Sequence, residues 1–423
     1  MKHIYHYIIL ACLSCSYMSN KNLFSGQKAI INVPIVDLVG QPITTIFSDE
    51  HPESAYNALT FCSAQTNSLS CPRLHQLLYN DTVNVIKTTE NEALVSIMHS
   101  YYLTPSSSLP QTNYWLLKKK ITLYDKLILH NIPTSHIPDP IDFSDKDGNV
   151  FTHTNIITLT KPHYDPNLKL TFSVGTRFTR ALSTATEKRT TTIDAFAIDY
   201  TGMKEVLIKI PSNKCKIINT TQSIQDRIAD YVNLLRQWTT IKDGCIPYTW
   251  GGTSFAHTTR KTFKEIIKKT NNGDIISYAY ENDISSPKSG FDCSGVIIRA
   301  TQICGIPYFC KNTTTIPKCL TLLDANQSLS EGDLILIRGH VMVVSDIAKN
   351  LLIEARSYAH GYGKLHEIAI NKVFEGIETY TDLINAYHNK TVIKRKDKQG
   401  KIRDTFSNLQ LFSMSSVWNK KES

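Results

Sequence analysis

Gly290-Phe291-Asp292-Cys293-Ser294-Gly295, running into Val296-Ile297-Ile298 and on to Ile303, is the stretch that decides how this chain is read. Aspartate caps helices, because its carboxylate accepts from the exposed N–H groups of the first turn. Asp292 followed by an apolar run therefore predicts a helix, with Cys293 in its first turn. A thiol placed there feels the positive end of the helix dipole, which lowers its pKa and raises its thiolate fraction. A lone cysteine is more often a small buried hydrophobe. To act as a nucleophile it needs a base, and a group that orients the base.

Both occur downstream. His340 follows Glu331-Gly332-Asp333-Leu334-Ile335-Leu336-Ile337-Arg338-Gly339 and opens the strand pattern Val341-Met342-Val343-Val344. A histidine at a strand start, beside a glycine, can project its ring into a cleft. Fourteen residues on, Leu351-Leu352-Ile353-Glu354-Ala355 reads as a neighbouring strand, and two adjacent antiparallel strands can bring Glu354 to His340. Upstream, Ile246-Pro247-Tyr248-Thr249-Trp250-Gly251-Gly252-Thr253-Ser254 combines aromatics with a glycine pair, consistent with a cleft wall.

In this order the four motifs, Tyr248-x-Trp250-Gly251-Gly252, Asp292-Cys293-Ser294-Gly295, Glu331-Gly332-Asp333-Leu334 and Gly339-His340-Val341, resemble the NlpC family of papain-like cell-wall cysteine peptidases. The resemblance covers roughly residues 244–370. It implies that Cys293 is the nucleophile, that His340 is the general base and that Tyr248 lines the site near the oxyanion. It further implies substrate contacts around Trp250, Asp292, Ser294 and Gly339. Asn32-Val33-Pro34-Ile35-Val36-Asp37-Leu38 and Cys71-Pro72-Arg73-Leu74-His75-Gln76-Leu77-Leu78 look like the first bacterial SH3-like domain of multidomain members, which cleave murein peptides between γ-linked D-Glu and the diamino acid. Three positions depart from the pattern. Glu354-Ala355 stands where the third catalytic histidine is usual; a carboxylate can still fix the imidazole tautomer, and is expected to raise the histidine pKa. His360 and His366 are fallback candidates. About 34 residues, 256–289, separate the glycine pair from the cysteine motif; they are basic and read as partly helical. Asn312-Thr313 occupies the place of an Asp-Ser pair that binds a free L-Ala amino end, which weakens the case for an ammonium subsite.

Farther out, short strand-like runs such as Ala29–Asp37, Thr82–Ile86, Ala93–Ile97 and Tyr114–Leu117 suggest a small all-β barrel. Asn155–Leu159, Lys169–Val174, Asp194–Asp199 and Glu205–Ile210 suggest a second. The expected fold class is multidomain α+β, with two small SH3-like barrels followed by a papain-like NlpC catalytic domain. The divisions are a leader (1–20), the first SH3-like domain (28–125), the second (150–217), a connecting helix (222–243), the cysteine peptidase domain (244–385) and a basic tail (386–423). Ile224, Ile228, Tyr231, Val232, Leu235 and Trp238 give the connecting segment its helical period.

Length and composition bound the rest. A chain of 423 residues suits two or three domains, and 41% hydrophobic residues exclude a mainly disordered protein. The net charge of +9 favours anionic polymers, and cell-wall material is the partner expected. No nucleic-acid module accompanies the charge. Lys2, then the apolar Tyr7–Leu13, read as an export signal, with Cys12 or Cys15 open to lipidation. The membrane is expected only through such a lipid, and the chain as a monomer of the cell envelope or secreted. The other cysteines match no zinc spacing, so no metal or cofactor is expected; Cys62 and Cys71 are the nearest plausible disulfide couple. Besides a peptidase, two readings remain: a catalytically silent wall-binding protein, and a cysteine amidase or acyltransferase on another acyl substrate.

Overall fold

The computed structural model describes residues 26–419 apart from 63–70, 105–108, 146, 152, 182–190, 219–220, 242–243, 257–262, 271–272, 281–288, 325–326 and 358–359. The leader, with Cys12 and Cys15, and the Cys62 side chain lie outside the described residues. The whole is a mixed α+β protein built on antiparallel sheets.

The first unit is a sheet of strands β1 (Gln27–Ile31), β2 (Ile35–Val39), β3 (Arg73–Leu78), β4 (Thr82–Thr88), β5 (Glu92–Ser96), β6 (Asn113–Leu117) and β7 (Ile121–Leu123), in the order β3-β2-β6-β5-β4-β1-β7. Alternate residues, among them Val83, Val85, Val95 and Tyr114, turn inward onto Leu38, Leu77 and Leu116. Helix α1 (Pro52–Cys62) packs Ala55 and Leu59 against Val39 and Trp115. Among the described residues the expected closed barrel is not found: β3 and β7 stand at opposite edges. The edge of β3 is instead occupied by β15 (Thr253–Ser254), through Gln76, whose side-chain oxygen accepts from Thr253 N and Ser254 Oγ.

The second unit, β8 (Ile156–Leu159), β9 (His163–Asp165), β10 (Leu170–Phe172), β11 (Arg177–Thr179), β12 (Thr192–Asp199), β13 (Lys204–Pro211) and β14 (Cys215–Lys216), likewise forms no closed barrel among the described residues. It divides into β11-β8-β14, β10-β9 and β12-β13 around Ile157, Leu159, Phe172, Phe178 and Ile208. Tyr79 from the first unit completes that core, its hydroxyl donating to Ile198 O at 2.7 Å.

Helix α2 (Ile224–Thr239) starts at Ser223, whose side chain accepts from Asp226 N, and buries Tyr231, Val232, Leu235 and Trp238. Beyond β15, strands β16 (Phe263–Thr270) and β17 (Gly273–Tyr280) pair from Phe263↔Tyr280 to Thr270↔Gly273. The insertion is thus a hairpin where partly helical structure was expected: a two-residue link joins runs rich in β-branched Ile266-Ile267 and Ile275-Ile276. Its ends meet, Ala256 N donating to Ser289 Oγ at 2.9 Å. After β18 (Gly290–Phe291) comes α3 (Cys293–Ile303).

The remaining strands, β19 (Thr321–Leu322), β20 (Leu334–Ile337), β21 (His340–Asp346), β22 (Leu351–Arg356), β23 (Lys364–Ala369), β24 (Ile393–Lys396), β25 (Ile402–Phe406) and β26 (Gln410–Ser413), include a six-stranded antiparallel sheet, β19-β26-β20-β21-β22-β23. One face carries Leu334, Leu336, Val341, Val343 and Ile353 against α2 and α3. The other carries Ile335, Ile337, Met342, Val344 and Leu352 against α4 (Tyr380–His388) and its neighbours. Because both faces are covered, the strands read as unbroken apolar runs. Of residues 386–423, expected as a basic tail, the described ones (386–419) are part of this fold instead. Ile393, Leu411, Phe412 and Met414 are all buried there, and β26 lies within the sheet between β19 and β20.

Candidate active site

Asp292 caps α3 as its sequence suggests: Oδ1 accepts from Gly295 N and, at 3.1 Å, from Ser294 Oγ. Its other oxygen takes a 2.7 Å ion pair from Lys311, a lysine only 2% exposed. The Ser294 hydroxyl also reaches Lys311 O. Both Asp292 oxygens and the Ser294 hydroxyl are therefore committed to holding the helix start, not turned to a substrate. Gly295 is required by close packing, since a Cβ there would lie 1.9 Å from Gly252 O. Asp292 N donates to that same carbonyl at 3.1 Å, which seats the Trp250-Gly251-Gly252 segment on the start of α3.

Cys293 is partly exposed at this helix start and packs against the core containing Tyr248, itself 7% exposed. Its thiol is not the depressed one expected from the helix dipole. Burial, and then the Asp292 carboxylate, push it up to about 12. The Val341 and Ser294 backbone N–H groups and the Lys311 charge act in the opposite sense and are outweighed. One of these groups, the Val341 N–H, belongs to the residue next to His340. No hydrogen bond joins the Cys293 sulfur to His340 among the described residues.

His340 begins β21 after a two-residue turn in which Gly339 adopts φ +72°, a left-handed conformation that suits glycine. Gly339 shapes the turn. The His340 Nε2 meets Glu354 Oε2 at 2.8 Å. With Val343 opposite Ile353, Glu354 stands on the same sheet face as His340, diagonally across the two strands. A carboxylate on Nε2 fixes the proton there and leaves Nδ1 with its lone pair. Burial and the nearby Arg395 lower the imidazole to about 4, against the pull of Glu354; the expected rise from the carboxylate is outweighed.

Glu354 is fully enclosed. Arg395 Nη2 shares Oε2 with His340, Arg356 Nη1 lies 3.6 Å from Oε1, and His366 Nε2 lies 3.3 Å from it. Burial alone would raise this carboxyl, but Arg395, then His340 and His366, hold it well below the usual range. Of the fallback histidines, His366 thus joins the cluster from β23, whereas His360 turns to Asp404 and Ser357, each at 3.1 Å.

The first unit walls this region. Arg73, paired with Asp37 at 2.7 Å, donates to Trp250 O at 3.2 Å. Tyr101 bridges to Cys310, and Asn312 Nδ2 donates to Leu103 O at 2.7 Å, so the Asn312-Thr313 loop is fastened to that unit. Cys310 forms a disulfide with Cys319 across this loop. Arg356, Arg395, Lys311 and Gln76 were not picked out from sequence. Arg356 had a signal, two residues along β22 from Glu354 and so on its face; the others are brought in by non-local contacts.

No family model matches the chain, and no curated protein does. Among solved structures it is similar to an NlpC/P60 family protein from Bacillus cereus ATCC 10987, at 16% identity and TM-score 0.48, over 84% of this chain and 96% of that one. It is also similar to NlpC2 of Trichomonas vaginalis (10%, TM-score 0.30, 82% and 94% of the two chains) and to NlpC1 of the same organism (11%, 0.28, 83% and 90%).

Proposed function

We propose that the chain is a cysteine hydrolase of peptidoglycan stem peptides, cutting between γ-D-Glu and the diamino acid. The observation that carries this reading is the buried Glu354, which orients His340 at the start of β21, while Asp292 holds Cys293 at the start of α3. His340 Nδ1 takes the thiol proton as sulfur attacks the γ-carbonyl, the two closing up as substrate enters; such contacts tighten in the Michaelis complex. The emerging oxyanion is stabilised by backbone N–H groups at the start of α3, helped by Tyr248, each donor being worth about 3 kcal/mol. The imidazolium then protonates the leaving amine, and water hydrolyses the thioacyl-enzyme. The substrate class and the bond come from the motif resemblance. Export to the cell envelope fits the leader pattern, and the Cys310–Cys319 disulfide fits an oxidising compartment.

Cys293→Ala is expected to lower turnover of L-Ala-γ-D-Glu-diamino acid by at least about 10³-fold with folding intact. Mass spectrometry of the products should show new L-Ala-D-Glu ends. Undiminished cleavage by Cys293→Ala removes the sulfur from the mechanism. The raised Cys293 thiol favours a second reading, a silent wall-binding protein. Wall binding without any cleavage by the native chain would establish it.

A further inference from the structure

Glu354 shares a single oxygen, Oε2, between His340 and Arg395. Arg395 lies in the segment that charge alone would assign to a solvated tail, yet its side chain is 3% exposed. Strand β24 fixes it from several directions. Arg395 pairs with Asp404 of β25 and bridges to Phe374, and Glu375 N donates to Lys394 O at 2.9 Å. Arg356 Nη2 donates to Lys396 O at 2.7 Å, tying the hairpin to β22. We infer that Arg395 is a positioning residue for His340: it binds the same Glu354 oxygen, Oε2, and so holds the carboxylate in place against the imidazole.

The charges around the site argue for this role. Glu354 brings one negative charge, and Arg395 and Arg356 bring two positive ones, all within side chains no more than 3% exposed. His366 faces Glu354 from β23; Tyr362 lies under Arg356 at 5.0 Å; Asp404 of β25 is engaged by His360. On the α3 side, Asp292 is matched by Lys311. Protonating His340 would add a further positive charge to a pocket that already holds an excess, where desolvation strengthens repulsion. Burying a guanidinium is costly, and apolar residues of similar volume commonly replace buried ion pairs without loss of stability. Arg395 Nε is buried without a hydrogen-bond partner, so strand packing alone does not explain the residue. The imidazole lowered to about 4 agrees with this geometry.

The inference rests on His340 being the base, and its test reads the imidazole directly. The His340 titration is followed by NMR in the full chain as wild type, Arg395→Gln and Arg395→Lys. Wild-type His340 should stay neutral well below the ordinary 6.5. Arg395→Gln should raise its titration by on the order of one pH unit, and Arg395→Lys should return it towards wild type. The acid limb of kcat/KM should move in parallel. An unmoved imidazole in Arg395→Gln, even with lowered stability, would make Arg395 merely structural and overturn the proposal. The wild-type titration needs no variant, and a value at or above 6.5 also overturns it. Cleavage that survives Cys293→Ala would defeat the peptidase reading while leaving this titration to judge Arg395.

Discussion

At the scale of single residues, the proposed chemistry turns on the Cys293 proton. A thiol lifted to about 12 holds a thiolate fraction near neutral pH on the order of 10⁻⁵. Iodoacetamide labelling of Cys293 should therefore be slow at pH 6 and climb about tenfold per pH unit into the alkaline range. A plateau already reached by pH 7 would mean a pre-formed thiolate. Glu354 is the second test. Glu354→Ala leaves Arg395 and Arg356 buried without their counter-charge and should lower stability by about 3–5 kcal/mol, read by denaturant unfolding. At this scale the sequence was readable where contacts are local. The Asp292 cap and the His340–Glu354 strand pair follow from spacing along neighbouring segments. The Lys311 ion pair and Arg395 depend on elements far apart in the chain, and the thiol's pKa depends on burial, which a helix-start argument does not include.

Between elements, the seam of the first sheet with the Thr253–Ser254 segment is polar and enclosed. Gln76 accepts from Thr253 N and Ser254 Oγ and donates to Asp37, while its own carbonyl accepts from Thr253 Oγ1. Gln76→Leu would leave at least two buried donors unmet, at about 1–3 kcal/mol each. The expected outcome is a lowered Tm with weakened docking, detectable as faster amide exchange at residues 249–254. Unchanged exchange there would mean that the apolar contacts hold the seam unaided. This seam also explains why the strand runs were legible and the barrels were not. Alternation identifies a strand and its buried face, but the occupant of a sheet edge is chosen by non-local contacts. Similarly, the charge count of residues 386–423 gave no sign of the apolar positions, Ile393 and Phe412 among them, that the fold buries.

Across the whole molecule, buried histidines set the response to acid. His75 and His99 face each other at 2.6 Å, and burial lowers both, His99 to about 3; His340 is lowered to about 4. Each binds its proton more readily in the unfolded chain, near pH 6.5. The stability they contribute is whole above that pH and drains away as pH falls towards 4 and 3, at about 1.4 kcal/mol per pH unit for each titrating group. Asp333, raised by burial to about 6, and Asp81, also raised, work in the other direction: their contribution is present below the usual carboxylate range and is lost as pH rises through their folded values. Three histidines outweigh two aspartates, so the urea midpoint should be lower at pH 5 than at pH 7; an equal or higher midpoint would contradict this balance. The Ala256–Ser289 contact has an architectural consequence as well. The polypeptide departs from the scaffold and returns at a single point, so the excursion between them is an appendage of adjustable size. Its length can drift by many residues at little entropic cost, and the sheets and helices outside it need not register the change.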